Sequence, residues 1–211
     1  MPDPDPPIDL EALVRAPLRR DPYDHVVVAN FVRGAALAAI NRDFPAIDRP
    51  GSFPLSELRP GAAFTALIEA LAGPDFRARV GDKFGLDLAP YPLTCTVRGR
   101  CRIKDGRIHT DTAAKILTVL IYLNPDWPAR GGRLRLLRGA HDLNDWVHEV
   151  VPQGGAMVIF RRSDRSWHGH APFAGERRSI QLNWVTSQAV ADRELARHRR
   201  SARLKRLLPF G

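Results

Sequence analysis

Up to Pro90 the apolar residues of this chain recur at helical spacing, and beyond it they alternate with polar ones. Phe64, Leu67, Ile68 and Leu71 stand at i, i+3, i+4 and i+7 and predict the clearest helix, which Gly73-Pro74 stops. Pro74 also suits the first position of a following helix, whose stripe is Phe76, Val80 and Phe84. Leu37, Ile40 and Phe44 predict a helix within 31–44. Leu10, Leu13 and Val14 predict a short one from Asp9, whose carboxylate suits the cap. Between these two, the β-branched run 25–29 reads as a strand. The proline-rich stretch 45–60 reads as loop.

Past Pro90 the candidate strands are 93–98, 107–111, 116–123, 132–137, 148–151, 156–160, 167–169 and 177–185, punctuated by Asp105-Gly106, Arg130-Gly131-Gly132 and Gln153-Gly154-Gly155. Short strands at fairly even spacing predict an antiparallel sandwich or barrel. Because the helices come first, the class is α+β, with helices packed on one face of a sheet. There is no internal repeat or linker. One domain is therefore expected over 9–211: helical support at 9–90, a β core at 91–186 and a basic helix at 189–207. Residues 1–8, with four prolines and two aspartates, are expected to be disordered.

Composition narrows the function classes. The chain is 44% hydrophobic and 26% charged, as a globular protein is. No apolar run approaches the ~20 residues that cross a bilayer. The acidic, proline-rich start is the opposite of a signal peptide, so no membrane role and a cytoplasmic location are expected. Cys95 and Cys101 fit no metal-binding pair and read as free thiols. The net charge of +9 would suit a polyanion. Lysine, however, occurs only at 83, 104, 115 and 205, and such an arginine bias reflects GC-rich coding as much as a binding surface. Nucleic acid is not expected as a partner, and the basic tail reads first as a solvated helix.

The chemistry concentrates around His109-Thr110-Asp111. In a strand, residues i and i+2 share a face, so the histidine and the carboxylate would aim at one point. A further histidine is offered by His168 or His170. Two histidines and one carboxylate form the ligand set of non-haem Fe(II) oxygenases, with coordination positions left open. Period two also splits the last strand into a polar face, Arg177, Ser179, Gln181 and Asn183, and an apolar face, Ile180, Leu182 and Trp184. The apolar face would pack on the helices, and the polar face would line a cavity.

The ordered set His109-x-Asp111, Tyr122-Leu123-Asn124, Gly131-Gly132-x-Leu134-Arg135, Ser163-Asp164-Arg165, His168 and then Arg177 resembles the Fe(II)- and 2-oxoglutarate-dependent dioxygenases of the prolyl-hydroxylase type, over about residues 91–186. The resemblance implies a distorted double-stranded β-helix, or jelly roll, with the N-terminal helices packed on one sheet. It implies Fe(II) on His109, Asp111 and His168, with O2 as oxidant. Arg177 would pair with the distal carboxylate of 2-oxoglutarate and Tyr122 would hydrogen-bond the same group. The implied reaction is hydroxylation with release of succinate and CO2. Related halogenases carry a small residue in place of that carboxylate, so Asp111 argues for hydroxylation. The interval to Arg177 and the position of Pro172 favour His168 over His170, leaving His170 as a lining residue.

Alternation refines the lining. Thr118 and Leu120 share the face of Tyr122, and Ser179 shares that of Arg177, so all three are expected in the co-substrate pocket. Lys115 falls one face over and reads as a solvated rim charge. Arg98 and Arg100 suit an anionic substrate or an exposed hairpin equally well, and Arg135 suggests no more than an ion pair. Two other readings stay open: a β-barrel that binds metal without catalysis, as a sensor or binding module, and zinc hydrolysis, for which no separate general base is evident. The substrate, a prolyl residue of a protein or a small molecule, is unassigned, with a slight tilt towards an anionic one. Oligomeric state is not legible.

Overall fold

The alternating half of the chain forms two antiparallel sheets in the computed structural model, which describes residues 6–207 and their side chains through Leu204. The strands are β1 (His25–Val28), β2 (Phe53–Pro54), β3 (Leu93–Cys101), β4 (Lys115–Tyr122), β5 (Leu134–Leu137), β6 (Trp146–Val150), β7 (Met157–Arg161), β8 (His168–His170) and β9 (Gly175–Val185). The larger sheet runs β1-β7-β4-β9-β3-β2 and the smaller β6-β5-β8. Tyr122, Val158 and Phe160 of the larger sheet pack against Leu134, Leu136 and Val150 of the smaller, so the two sheets face one another. The helices are α1 (Leu10–Arg15), α2 (Gly34–Arg42), α3 (Ala62–Ala72), α4 (Pro74–Phe84) and α5 (Gln188–Leu207).

Period two sorts β9 as its sequence predicts. Ile180, Leu182 and Trp184 join Phe64, Leu67, Phe76 and Val80 in a core between the helices and the outer face of the larger sheet. The opposite face turns inward. Pro74 stands in the first turn of α4 as expected, and Gly85 in the left-handed conformation ends the helix. Asp9 caps α1 through a hydrogen bond from the Ala12 N–H at 2.9 Å. Among the described residues, no helix is long and apolar enough to cross a membrane.

Several expectations are corrected. Of the supposedly disordered 1–8, residues 1–5 lie outside the described set. Ile8 is buried and bridges Val32, because one branched apolar side chain outweighs the prolines around it. Val14 leaves the apolar face of α1 and is exposed, while Leu13 is fully buried. The loop 45–60 contains β2, a two-residue edge strand that pairs with β3, a position where proline is tolerated. Segment 107–111 is not a strand. Its one ladder contact is an isolated bridge between His109 and His168, and Asp111 stands beyond it.

Candidate metal and co-substrate site

The inward face of β9 places Arg177, Ser179 and Gln181 on the wall of a cavity of about 140 Å³ between the sheets. Thr118 and Leu120 of β4, Thr96 and Arg98 of β3, and Leu134 of β5 complete much of that wall. At its mouth, the backbones of His109 and His168 exchange two hydrogen bonds, each 3.0 Å. This bridge does what a strand was expected to do: the nitrogens of His109 and His168 and a carboxylate oxygen of Asp111 all lie within 4.8 Å of one another. The structure thus assembles the triad although the segment carrying two of its members is irregular.

The ring tautomers are fixed by geometry. Nδ1 of His109 lies 2.8 Å from the Arg107 carbonyl, and Nδ1 of His168 lies 2.9 Å from the Ser166 carbonyl. Carbonyls only accept, so both Nδ1 atoms carry the proton and both Nε2 lone pairs are free for a cation. Burial, reinforced by His109 and Lys115, pulls the His168 pKa down to about 4 against the opposing pull of Asp111. The ring is therefore neutral and able to bind metal at physiological pH. Burial resists ionisation of Asp111, yet the Lys115 ammonium, with His168 and the Thr118 hydroxyl, holds its pKa below the ordinary carboxylate value. Two imidazoles and one carboxylate fit a divalent first-row metal.

Lys115 is the largest correction within the site. It is not a solvated rim charge: it is nearly buried and its Nζ lies 2.8 Å from Asp111 Oδ1. The β4–β9 register shifts between Lys115 and Leu117, and this irregularity overturns the parity that assigned Lys115 to the other face. Thr118 donates to Asp111 Oδ2 at 2.5 Å, so it steadies the carboxylate as well as lining the cavity. The sequence signal available was a lysine four residues after the aspartate.

Deeper in, Arg177 is almost fully buried. Its Nε donates to the Gly132 carbonyl at 2.9 Å, its Nη2 donates to the Tyr122 hydroxyl at 3.4 Å, and its guanidinium lies 5.0 Å from the Tyr122 ring centre. Gly132 has φ of +76°, and a Cβ there would stand 2.6 Å from Trp127. The Gly-Gly motif therefore allows the carbonyl that orients the arginine. Burial, against the pull of Arg177, pushes the Tyr122 phenol above its ordinary value, so it remains a hydrogen-bond donor. A fixed guanidinium beside a neutral phenol is a receptor for a carboxylate. Arg178, on the other face, bonds Asn41 and lies over Phe44.

The remaining assignments resolve as follows. His170 lines the cavity, as expected, with its ring packed on Gly106, where a Cβ would clash at 2.3 Å. Arg98 also lines it but is bonded to Asp105 at 3.1 Å and to Ser52 at 3.3 Å. Arg100 is outside, beside Arg178. Arg135 pairs with Glu149 at 2.7 Å and binds the Leu143 carbonyl, bracing the small sheet. Ser52 and Gly106 are wall residues that the sequence did not single out. Both cysteines are free, as expected.

The histidines give the metal-free protein a pH dependence. His170, through burial and then Arg177, also has its pKa lowered to about 4. Burial lowers those of His25 and His148, which meet edge to face at 5.5 Å. Below an unfolded value of about 6.5 the unfolded chain takes up protons that these rings refuse, so stability falls as pH drops and the loss levels off near the folded values. Denaturant unfolding of metal-free protein at pH 5 is expected to give roughly 2 kcal/mol less stability for each of His168 and His170 than at pH 7. Equal stability at the two pH values would contradict the burial described.

Comparison with known proteins fits this geometry. Residues 101–186 match the family model of the 2OG-Fe(II) oxygenase superfamily. Its members are oxidoreductases that use Fe(II), 2-oxoglutarate and O2. A Pseudomonas putida prolyl-4-hydroxylase is 18% identical with a TM-score of 0.52, covering 83% of this chain and 90% of that one. A Trichoplax adhaerens prolyl hydroxylase, solved with a hypoxia-inducible-factor peptide, is 17% identical with a TM-score of 0.54, covering 89% and 91%. HygX of Streptomyces hygroscopicus, solved with nickel and 2-oxoglutarate, is 12% identical with a TM-score of 0.52, covering 78% and 82%. The shared fold is the double-stranded β-helix. No curated protein matches the sequence.

Proposed function

We propose that this chain is a 2-oxoglutarate-dependent hydroxylase in which His109, Asp111 and His168 hold Fe(II) and Arg177 with Tyr122 holds the distal carboxylate of 2-oxoglutarate. The observation that carries the assignment is the buried Arg177 in the wall of the same cavity as the triad, with the Tyr122 hydroxyl behind it at 3.4 Å. A sensor or binding module that only held metal would have no use for a carboxylate receptor at the far end of its cavity. Zinc hydrolysis would need a separate general base, and among the described residues lining the cavity the one carboxylate is Asp111.

Fe(II), when bound, supplies the activation of O2: one oxygen atom enters succinate as 2-oxoglutarate loses CO2, and the other enters a substrate C–H bond. The protein's own contribution is positional. Arg177 and Tyr122 set the co-substrate along β9 and β4, with Leu120 and Ser179 as side walls. Lys115 and Thr118 fix the Asp111 carboxylate, and the Arg107 and Ser166 carbonyls fix the imidazoles. The two facing sheets limit water around the reacting centre. The test is succinate production from 2-oxoglutarate under air by metal-loaded protein, with His168→Ala as control. Succinate that depends on Fe(II) and is absent in the variant is expected. Turnover unchanged by the substitution would contradict the ligand assignment.

A further inference from the structure

The cations inside the cavity are engaged. Arg98 is held by Asp105 and Lys115 by Asp111, and Arg177 is the receptor proposed for 2-oxoglutarate. A small anionic substrate would find no unpaired charge there. Unpaired positive charge lies at the mouth. Segment 102–107, which leads from β3 to His109, carries Arg102, Lys104 and Arg107 against Asp105, a net +2. Segment 162–165, which leads to His168, carries Arg162 and Arg165 against Asp164, a net +1. Residues 192–206, in α5, carry seven basic and two acidic residues, a net +5. Of the +9 in total, the other 186 residues therefore hold +1, as 20 basic against 19 acidic. A coding bias towards arginine would scatter this excess, whereas here it is placed.

The His109–His168 bridge is antiparallel, so the two mouth segments leave it in opposite directions and flank the triad on either side. Gly106 of the first lines the cavity, and its carbonyl accepts from the His170 N–H at 2.8 Å. Asp105 is shared between Arg98 at 3.1 Å and Arg102 at 3.5 Å, which leaves Lys104 and Arg107 as the cations of this segment outside an ion pair. Lys104, Arg107 and Arg165 are exposed, and among the described residues they form no ion pair. Between Arg102 and Lys104 stands Ile103, a large apolar side chain left 64% exposed.

We propose that this rim receives an acidic polypeptide segment: the residue to be hydroxylated enters the cavity, flanking Asp or Glu side chains meet Lys104, Arg107 and Arg165, and an apolar side chain rests on Ile103. The inference rests on the hydroxylase reading and names its substrate class. Exposed rim charges of one sign steer and select an extended partner of the opposite sign. Nucleic acid fits less well. Base recognition uses aromatic stacking, and none of the described cavity-lining residues is Phe, Tyr or Trp. An apolar knob between cations also has no counterpart on a phosphate backbone.

The test uses the full chain loaded with Mn(II) and 2-oxoglutarate, uptake of both being verified first. Fluorescein-labelled peptide pools of equal length, randomised around a central proline, are titrated by anisotropy. One pool draws its flanks from Asp, Glu, Ala, Ser and Leu, another replaces the acids by Lys and Arg, and oligo(dT) serves as the nucleic-acid probe. The acidic pool is expected to bind about tenfold more tightly than the basic one, and more weakly as salt rises. The combined Lys104→Glu, Arg107→Glu and Arg165→Glu protein should lose that preference. The combined Arg193→Glu, Arg197→Glu and Arg200→Glu protein, altered on α5, should keep it. Absence of a charge preference, its survival in the rim variant, its loss in the α5 variant, or equal binding of oligo(dT) would each overturn the proposal. Failure of the parent protein to take up Mn(II) and 2-oxoglutarate would instead remove the hydroxylase reading, and the rim assignment with it.

Discussion

Replacing Arg177 with alanine is expected to weaken 2-oxoglutarate binding by about two orders of magnitude while leaving Fe(II) or Mn(II) affinity within a factor of about three. The guanidinium is buried and fixed by the Gly132 carbonyl and the Tyr122 hydroxyl. A dicarboxylate that enters this cavity thus meets a pre-oriented cation instead of water. Removing one member of a buried, hydrogen-bonded charge pair costs about 2–5 kcal/mol, and the expected factor corresponds to about 2.7 kcal/mol, in the lower half of that range. Lysine at the same position should restore only part of the affinity, because an ammonium cannot present the planar fork or lie over the Tyr122 ring. Titration of 2-oxoglutarate into metal-loaded protein, beside a metal titration of the same variant, separates the two sites. Equal loss of metal and co-substrate would mean that the clamp is misplaced.

Lys115→Met should reduce metal affinity by about 10–100-fold, the usual cost of removing a partner that orients a ligand. The lysine holds Asp111 Oδ1 at 2.8 Å while Thr118 engages Oδ2, so both oxygens have defined positions before any metal arrives. A methionine of similar length keeps the packing and removes the charge, leaving a buried carboxylate without its cation. Lys115→Arg should recover much of the loss. Metal titration followed by isothermal calorimetry gives the answer, and unchanged affinity in the methionine variant would show that the ion pair does not prepare the carboxylate.

How much of this was legible in the sequence depends on how regular each segment is. Strand β9 alternates polar and apolar residues from Ser179 to Trp184, so Arg177, Ser179 and Gln181 could be assigned to a cavity and Trp184 to the core from spacing alone. The stripe of α3 was equally clear because its buried residues repeat at helical spacing. Irregular backbone broke the same logic elsewhere. His109 and Asp111 converge through an isolated bridge and irregular backbone beyond it, so strand parity gave the right juxtaposition for a wrong local reason. At Lys115 a single register shift reversed the face and hid an ion pair that no periodic argument can detect. Strand β2 was invisible because pairing to β3 over two residues, not propensity, makes it a strand. The charge in residues 102–107 and 162–165 was present in the sequence, but its meaning needed the antiparallel bridge that sets the two segments on either side of the triad.

The most direct test of the account is anaerobic addition of Fe(II) and then 2-oxoglutarate to the purified protein, followed by visible absorption. A metal on His109, Asp111 and His168 with 2-oxoglutarate anchored at Arg177 places the keto acid on the iron. The account therefore predicts a metal-to-ligand charge-transfer band that requires both additions and is absent in His168→Ala. Protein that binds Fe(II) and 2-oxoglutarate without developing that band would contradict it.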